Sequence, residues 1–370
     1  MKRFSPFLIP ALCIAPPALA ETGDSALREA MTTLPAYIFT SSELDLGFFL
    51  DVAVQRTRGP DEAKNLSILG PVSELQALST LFNAAAHNNV AEWSQKAGVE
   101  PAGIRYFAGF GVPPMGVTIW GFTDEAGASA TFDGLSARGF TVLDGMENTL
   151  ANGDPMGMDL TRRDITDPWI GSMGRTSVVT RQGAQFLHAA TPEAYAPILD
   201  GAPSLLDSPT GQTLLAALEG QPAPVVQTVF FSPALGLHVA DPLPILEAGS
   251  HAEAQAALDA RQAELSDGVP LYSGAVLAEL DDAGKTIGLI ALAYPDCATA
   301  EAAAQKSASL WPQMGGDMAE ATITPGHTDA GAAGCAATLT ITTPDGNARS
   351  FLAPIDGVFT RNFPPIRIGQ

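Results

Sequence analysis

The feature that most constrains the fold is a change of apolar period, from strand-like runs to helix-like stripes, that recurs along the chain. It is clearest in the C-terminal half. Val225 to Phe231 reads as a strand, and Ser250 with Glu253 makes a capping-box pair that opens a helix from His251 to Leu265. Ser273 to Leu280 and Thr286 to Ala293 read as a hairpin around Asp281-Asp282-Ala283-Gly284. Asp296 caps an Ala-rich helix from Cys297 to Leu310, and Ala336 to Thr343 is a strand stopped by Pro344-Asp345-Gly346. In order this is βαββαβ, the split βαβ arrangement of ferredoxin-like domains.

The first half repeats part of this grammar. Val117 to Phe122 is a run of strand length, followed at once by Thr123-Asp124-Glu125, which suits a helix start. That helix carries Ala128, Phe132 and Leu135 on one face, Gly139 stops it, and Phe140 to Leu143 resumes as a strand. A hairpin of Ser177 to Thr180 and Ala184 to Ala189 turns at Gln182-Gly183 and leads into a helix from Pro192. Before this, residues 21–111 read as mainly helical. Ser41 or Ser42 caps a helix with Leu44, Phe48 and Val52 every four residues, and Leu75, Leu78, Leu81, Phe82 and Ala85 form a second stripe. Gly201 to Pro224, with Pro203, Pro209, Gly220 and Pro222 around a short helix from Gln212 to Leu218, reads as a linker. The expected class is therefore α+β: an N-terminal helical segment, a lobe over 112–200, the linker 201–224, and a lobe over 225–370. Both lobes are expected to be ferredoxin-like, related by a weak internal duplication.

The strand end Trp120-Gly121-Phe122-Thr123-Asp124, followed by Ala130, Leu135 and Gly139-Phe140, resembles a pattern in exported bacterial proteins built from α+β lobes. The likeness covers about residues 100 to 310. It implies a fold type and no activity.

The first twenty residues have the three-part layout of a secretory signal: Lys2 and Arg3, a mainly apolar run from Phe7 to Ile14, then Pro16, Pro17 and Ala18-Leu19-Ala20. Cleavage is expected before Glu21, and the protein is expected in the periplasm. The apolar run is far short of the roughly 20 residues that span a bilayer. Loss of the signal takes Cys13 with it and leaves Cys297 and Cys335, an even number in an oxidising compartment, so a disulfide between them is expected. The rival reading is a reactive thiol at a helix start.

Nineteen Lys plus Arg against 40 Asp plus Glu give a formal charge of −21, a poor match to nucleic acid. Motifs for catalysis are weak. Gly23-Asp24-Ser25-Ala26-Leu27 is close to a GDSL-type serine block but has no Asp-x-x-His partner, and Asp24 and Ser25 read better as a helix cap. Gly134 to Gly139 misses the spacing of a nucleophile elbow. The histidines His87, His188, His238, His251 and His327 are dispersed; His238 with Asp241 and His327 with Asp329 are the nearest to ligand pairs. Asp154, Asp159, Asp164 and Asp167 lack the pattern of a calcium loop. No phosphate loop is present, so no cofactor is expected.

One local anomaly remains: Arg162, Arg163, Arg175 and Arg181 fall within twenty residues, with Trp169 among them. Guanidiniums fork onto carboxylates and stack on indoles, so these four form a candidate anion or acidic-ligand patch. The competing reading pairs them with Asp159, Asp164 and Asp167. The expectation is a non-catalytic periplasmic protein that binds a small ligand or an envelope partner. The alternative is a hydrolase or metal-dependent enzyme with its site between the lobes.

Overall fold

This computed structural model describes residues 25–41, 45–58, 75–237 and 248–369. The export segment with its cut before Glu21, and the pair His238 and Asp241, lie outside them. The fold is α+β. Twelve strands form one sheet: β1 Gly47–Asp51, β2 Ile104–Phe110, β3 Val117–Phe122, β4 Thr141–Val142, β5 Thr149–Ala151, β6 Val178–Gln182, β7 Gln185–Ala189, β8 Val225–Phe231, β9 Ala275–Asp282, β10 Lys285–Tyr294, β11 Thr322–Asp329 and β12 Cys335–Thr342. Their order is β11-β12-β10-β9-β8-β1-β2-β3-β7-β6-β5-β4, with antiparallel neighbours throughout.

Local chemistry accounts for most boundaries. Asp124 and Asp296 cap the helices Glu125–Gly134 and Cys297–Leu310, accepting from the backbone N–H of Gly127 at 2.7 Å and of Thr299 at 2.8 Å. The β9–β10 hairpin closes through Ala283 and Gly284, whose φ of 51° and 89° supply the two left-handed residues of a type I′ turn.

Three sequence expectations are corrected. The helix expected from Ser41 or Ser42 to Gln55 is instead strand β1 followed by the helix Val52–Thr57, which Asp51 caps through Val54 N–H at 2.9 Å. Phe48 and Leu50 lie in the core on one sheet face and Phe49 in the core on the other, so an unbroken apolar run, not a helical stripe, placed those residues there. The segment 21–111 thus gives two central strands to the sheet.

The split βαβ order is not seen. It needs a central strand beside a parallel neighbour, whereas β8 lies between β9 and β1, antiparallel to both. Strand β1 occupies the edge of β8 that a second lobe strand would need.

The stretch read as a linker is part of the core. Its helix Pro209–Glu219 buries Leu214, Leu215, Ala217 and Leu218 against the sheet, and Leu205 N–H bonds the carbonyl of Leu34 at 2.7 Å.

The sheet is sandwiched between two helical layers. On one face Phe107, Trp120, Phe186, Leu277, Ile290 and Leu339 pack with the helices Gln76–Ala86, Val90–Ala97, Glu125–Gly134, Cys297–Leu310 and Arg349–Phe359. On the other, Phe49, Ile119, Leu187, Phe230 and Leu289 pack with Ala26–Met31 and Pro209–Glu219. Cys297 and Cys335 form a disulfide, Cα atoms 4.9 Å apart, that ties a helix start to β12. Among the described residues no helix is long and apolar enough to cross a membrane.

Candidate functional site

At one end of the sheet four segments meet around Arg175. They are the start of the helix Gln76–Ala86, the β2–β3 turn at 111–116, the long β5–β6 connection over 152–177, and the end of β7 at His188 to Ala190. Gln76 fixes the connection by donating from Nε2 to the Pro168 carbonyl at 3.0 Å. Gly171 permits the approach: its φ is +63°, and a Cβ there would lie 2.7 Å from the Gln76 side chain. Lys96 holds the outer part, with Nζ 2.6 Å from Asp164 and 2.7 Å from Thr166.

Two cavities share Arg175, Gln76 and Pro113 in their walls. The inner one, about 50 Å³, also reaches Thr118 and His188. The outer one, about 210 Å³, takes Ser79, Asn83, Ile165, Ser172 and Met173. Arg175 is half-buried, and among the described residues its guanidinium makes no hydrogen bond or ion pair with protein. Nor does a carboxylate line either cavity among those residues. A partly desolvated charge left without a partner is costly to maintain, which makes Arg175 a candidate binding residue.

Beneath the cleft, His188 is fully buried and its hydrogen bonds fix its state. The Ser177 hydroxyl donates to the Trp169 carbonyl at 2.6 Å, so the 2.7 Å contact between Ser177 Oγ and His188 Nε2 has the imidazole as donor. Nδ1 then accepts from Trp120 Nε1–H at 3.4 Å. Burial pushes the imidazole pKa down to about 4 and keeps it neutral. Since its lone pair faces Trp120, His188 cannot take the Ser177 proton, and this serine–histidine pair is not a nucleophile with its base.

The four arginines are divided. Arg162 and Arg163 are exposed on the same connection as Arg175, where Met158 and Arg175 form a β-bridge. Arg181 is at the far end of β6, 3.6 Å from Glu125 and with its guanidinium 5.9 Å from the centre of the Phe132 ring. The expected acid partners are otherwise engaged. Asp159 accepts from Thr161, Asp164 from Lys96 and Thr166, and Asp167 from the Trp169 N–H. Hydrogen bonds from Thr161 hold the Asp159 carboxyl below the usual range, while burial raises that of Asp167.

Of the other candidates, Ser25 caps the helix Ala26–Met31 through Arg28 N–H at 3.1 Å. His87 Nδ1 bonds the Asn83 carbonyl at 2.8 Å in a helix-ending turn, and His327 and Asp329 are exposed on the edge strand β11. Among the described residues no three His, Cys, Asp or Glu side chains are placed to hold a metal ion. A larger cavity, about 420 Å³ between Leu27, Phe49 and Pro222, is walled by Asp51 and by Glu219, which pairs with Arg28 at 2.5 Å.

The sequence singled out Arg175 as one of four clustered arginines and did not point to the segments that surround it. The available signal was the polar series Gln76, Ser79, Thr80 and Asn83 on a helix whose other residues are apolar.

No protein-family model matches the chain, and no curated protein matches it. Among solved structures, crystal form III of TP0453, an exported protein of Treponema, aligns over 87% of this chain and 97% of its own at 9% identity and a TM-score of 0.32. A likeness that loose carries no argument about activity.

Proposed function

We propose that this chain is an exported, non-catalytic binding protein of the bacterial periplasm, and that the Arg175 cleft is its ligand site. The observation that carries the reading is the half-buried, unpartnered guanidinium at the junction of two cavities, in a chain with 40 acidic residues. The Cys297–Cys335 disulfide supports export, since such bonds persist in oxidising compartments. Native mass spectrometry of gently purified protein tests the ligand: a small adduct is expected on the parent and not on Arg175→Gln. Equal adduct occupancy in both removes Arg175 from the reading. The mass of the mature N-terminus tests export, with Glu21 expected first.

The topology also supports descent from a duplication. In both halves a strand (β1 or β8) is followed by helical segments, a hairpin, an Asp-capped helix and a closing hairpin (β6–β7 or β11–β12), the first half adding β4 and β5 before its closing hairpin, and the two halves meet where β1 pairs β8.

A further inference from the structure

We propose that the ligand is a single-chain anionic amphiphile, its acid head on Arg175 and its alkyl chain across Pro113, Ile165 and Met173. This rests on the cleft being a ligand site and goes on to name what it takes.

The head is argued from charge and donors. Among the described residues Arg175 is the one charged side chain in the walls of the two cavities, His188 being held neutral. Around it Ser79, Asn83, Ser172 and Thr118 have no side-chain hydrogen bond to protein among the described residues, so their donors are available to an anion's oxygens. A forked guanidinium with hydroxyl and amide donors around it suits a carboxylate or a phosphate and repels an ammonium.

The chain is argued from the rim. Val112, Met115, Met156, Met158, Ile165 and Met173 are 42 to 58% exposed, and all lie on the two connections that build the cleft. Ile165 and Met173 line the outer cavity beside Pro113, and exposed large apolar side chains there suit a ligand with a greasy tail, methionine adapting to chains of varied shape. A short acid such as acetate would fill the inner cavity and leave this rim wet.

The test is calorimetric titration of the full chain with decanoate, decyl phosphate, decanol, decylammonium and acetate. Decanoate or decyl phosphate is expected to bind at least tenfold more tightly than decanol, decylammonium and acetate, and whichever acid binds better assigns the head. Arg175→Gln is expected to weaken the better acid at least tenfold. Ile165→Asn, an uncharged change at an exposed position where folding is not at stake, is expected to weaken it through the tail. Decanol binding as tightly as decanoate overturns the anionic head and leaves the cleft as a ligand site. A purified protein that carries an Arg175-dependent adduct yet binds none of these probes overturns the amphiphile and keeps the binding reading. Failure of both the adduct and the probes overturns the two together.

Discussion

Trp120 and Trp169 stack with ring centroids 4.8 Å apart and planes 9° from parallel, and Trp93 covers the other face of Trp120 at 6.1 Å. Trp120 comes from β3, Trp169 from the β5–β6 connection, and both contact His188 in the wall of the inner cavity. Three of the four tryptophans therefore report on the cleft, while Trp311 packs against Phe363 elsewhere. A ligand at Arg175 should shift tryptophan emission in the parent and in Trp311→Phe, and the response should shrink sharply in Trp120→Phe. A response carried by Trp311 would place the ligand elsewhere.

Stability should depend on pH through His188. An unfolded histidine titrates near 6.5, whereas this one stays neutral down to about 4. Above 6.5 neither state binds the proton and there is no effect. Between 6.5 and about 4 the unfolded chain takes a proton that the native one refuses, so native stability falls with pH by on the order of 3 kcal/mol. Asp51 and Asp167, raised by burial, act with the opposite sign, so the measurement is the difference between parent and His188→Gln in urea melts at pH 7 and pH 4.5. Parallel pH profiles would show that His188 does not contribute.

The disulfide closes a separation of 38 residues, for which restriction of the unfolded chain predicts roughly 3 to 4 kcal/mol. Cys297→Ala with Cys335→Ala should lower stability by about that much. Reduction of the parent by dithiothreitol should match the double variant, and a much smaller loss would mean that packing alone holds the helix to β12.

The Arg58 side chain, 8% exposed, pairs with Glu279 at 2.7 Å and Asp281 at 3.3 Å, and its Nη2 donates to the Thr286 hydroxyl at 2.6 Å. Glu279 is 1% exposed, so Glu279→Ala leaves a buried guanidinium without its main partner. Breaking such a pair typically costs about 3 to 5 kcal/mol. Urea denaturation checks this, and adding Arg58→Met should recover part of the loss. A single variant as stable as the parent would show that water reaches the pair.

What the sequence revealed depended on whether local signals decided the outcome. β3 and β8 coincide with their expected runs, because turn residues and helix caps bound them. β1 was hidden because Phe48 and Val52, four apart, fit a helical stripe as well as a sheet buried on both faces. β11, Thr-Ile-Thr-Pro-Gly-His-Thr-Asp, was hidden because an exposed edge strand needs no apolar face; its eight-residue register with β12 holds it. Neighbour relations were out of reach, since periodicity names elements and not the edges they share. The arginines were legible as a group, yet a strand advances about 3.3 Å per residue, which takes Arg181 to the far end of β6 from Arg175. The floor under Arg175 comes from helix Gln76–Ala86 and β3, both distant in sequence.

The seam between β1 and β8 joins residues 47–50 to 227–230, roughly 180 positions later. A ribosome delivers the early strand long before its mate, so Phe48, Phe49 and Leu50 must wait with one edge bare through about half of synthesis. Distant pairings of this kind are slow to close, and an open edge recruits strangers. Nascent chains ending near residue 220 should thus be the clumping-prone and protease-sensitive ones, with resistance arriving once β8 has emerged.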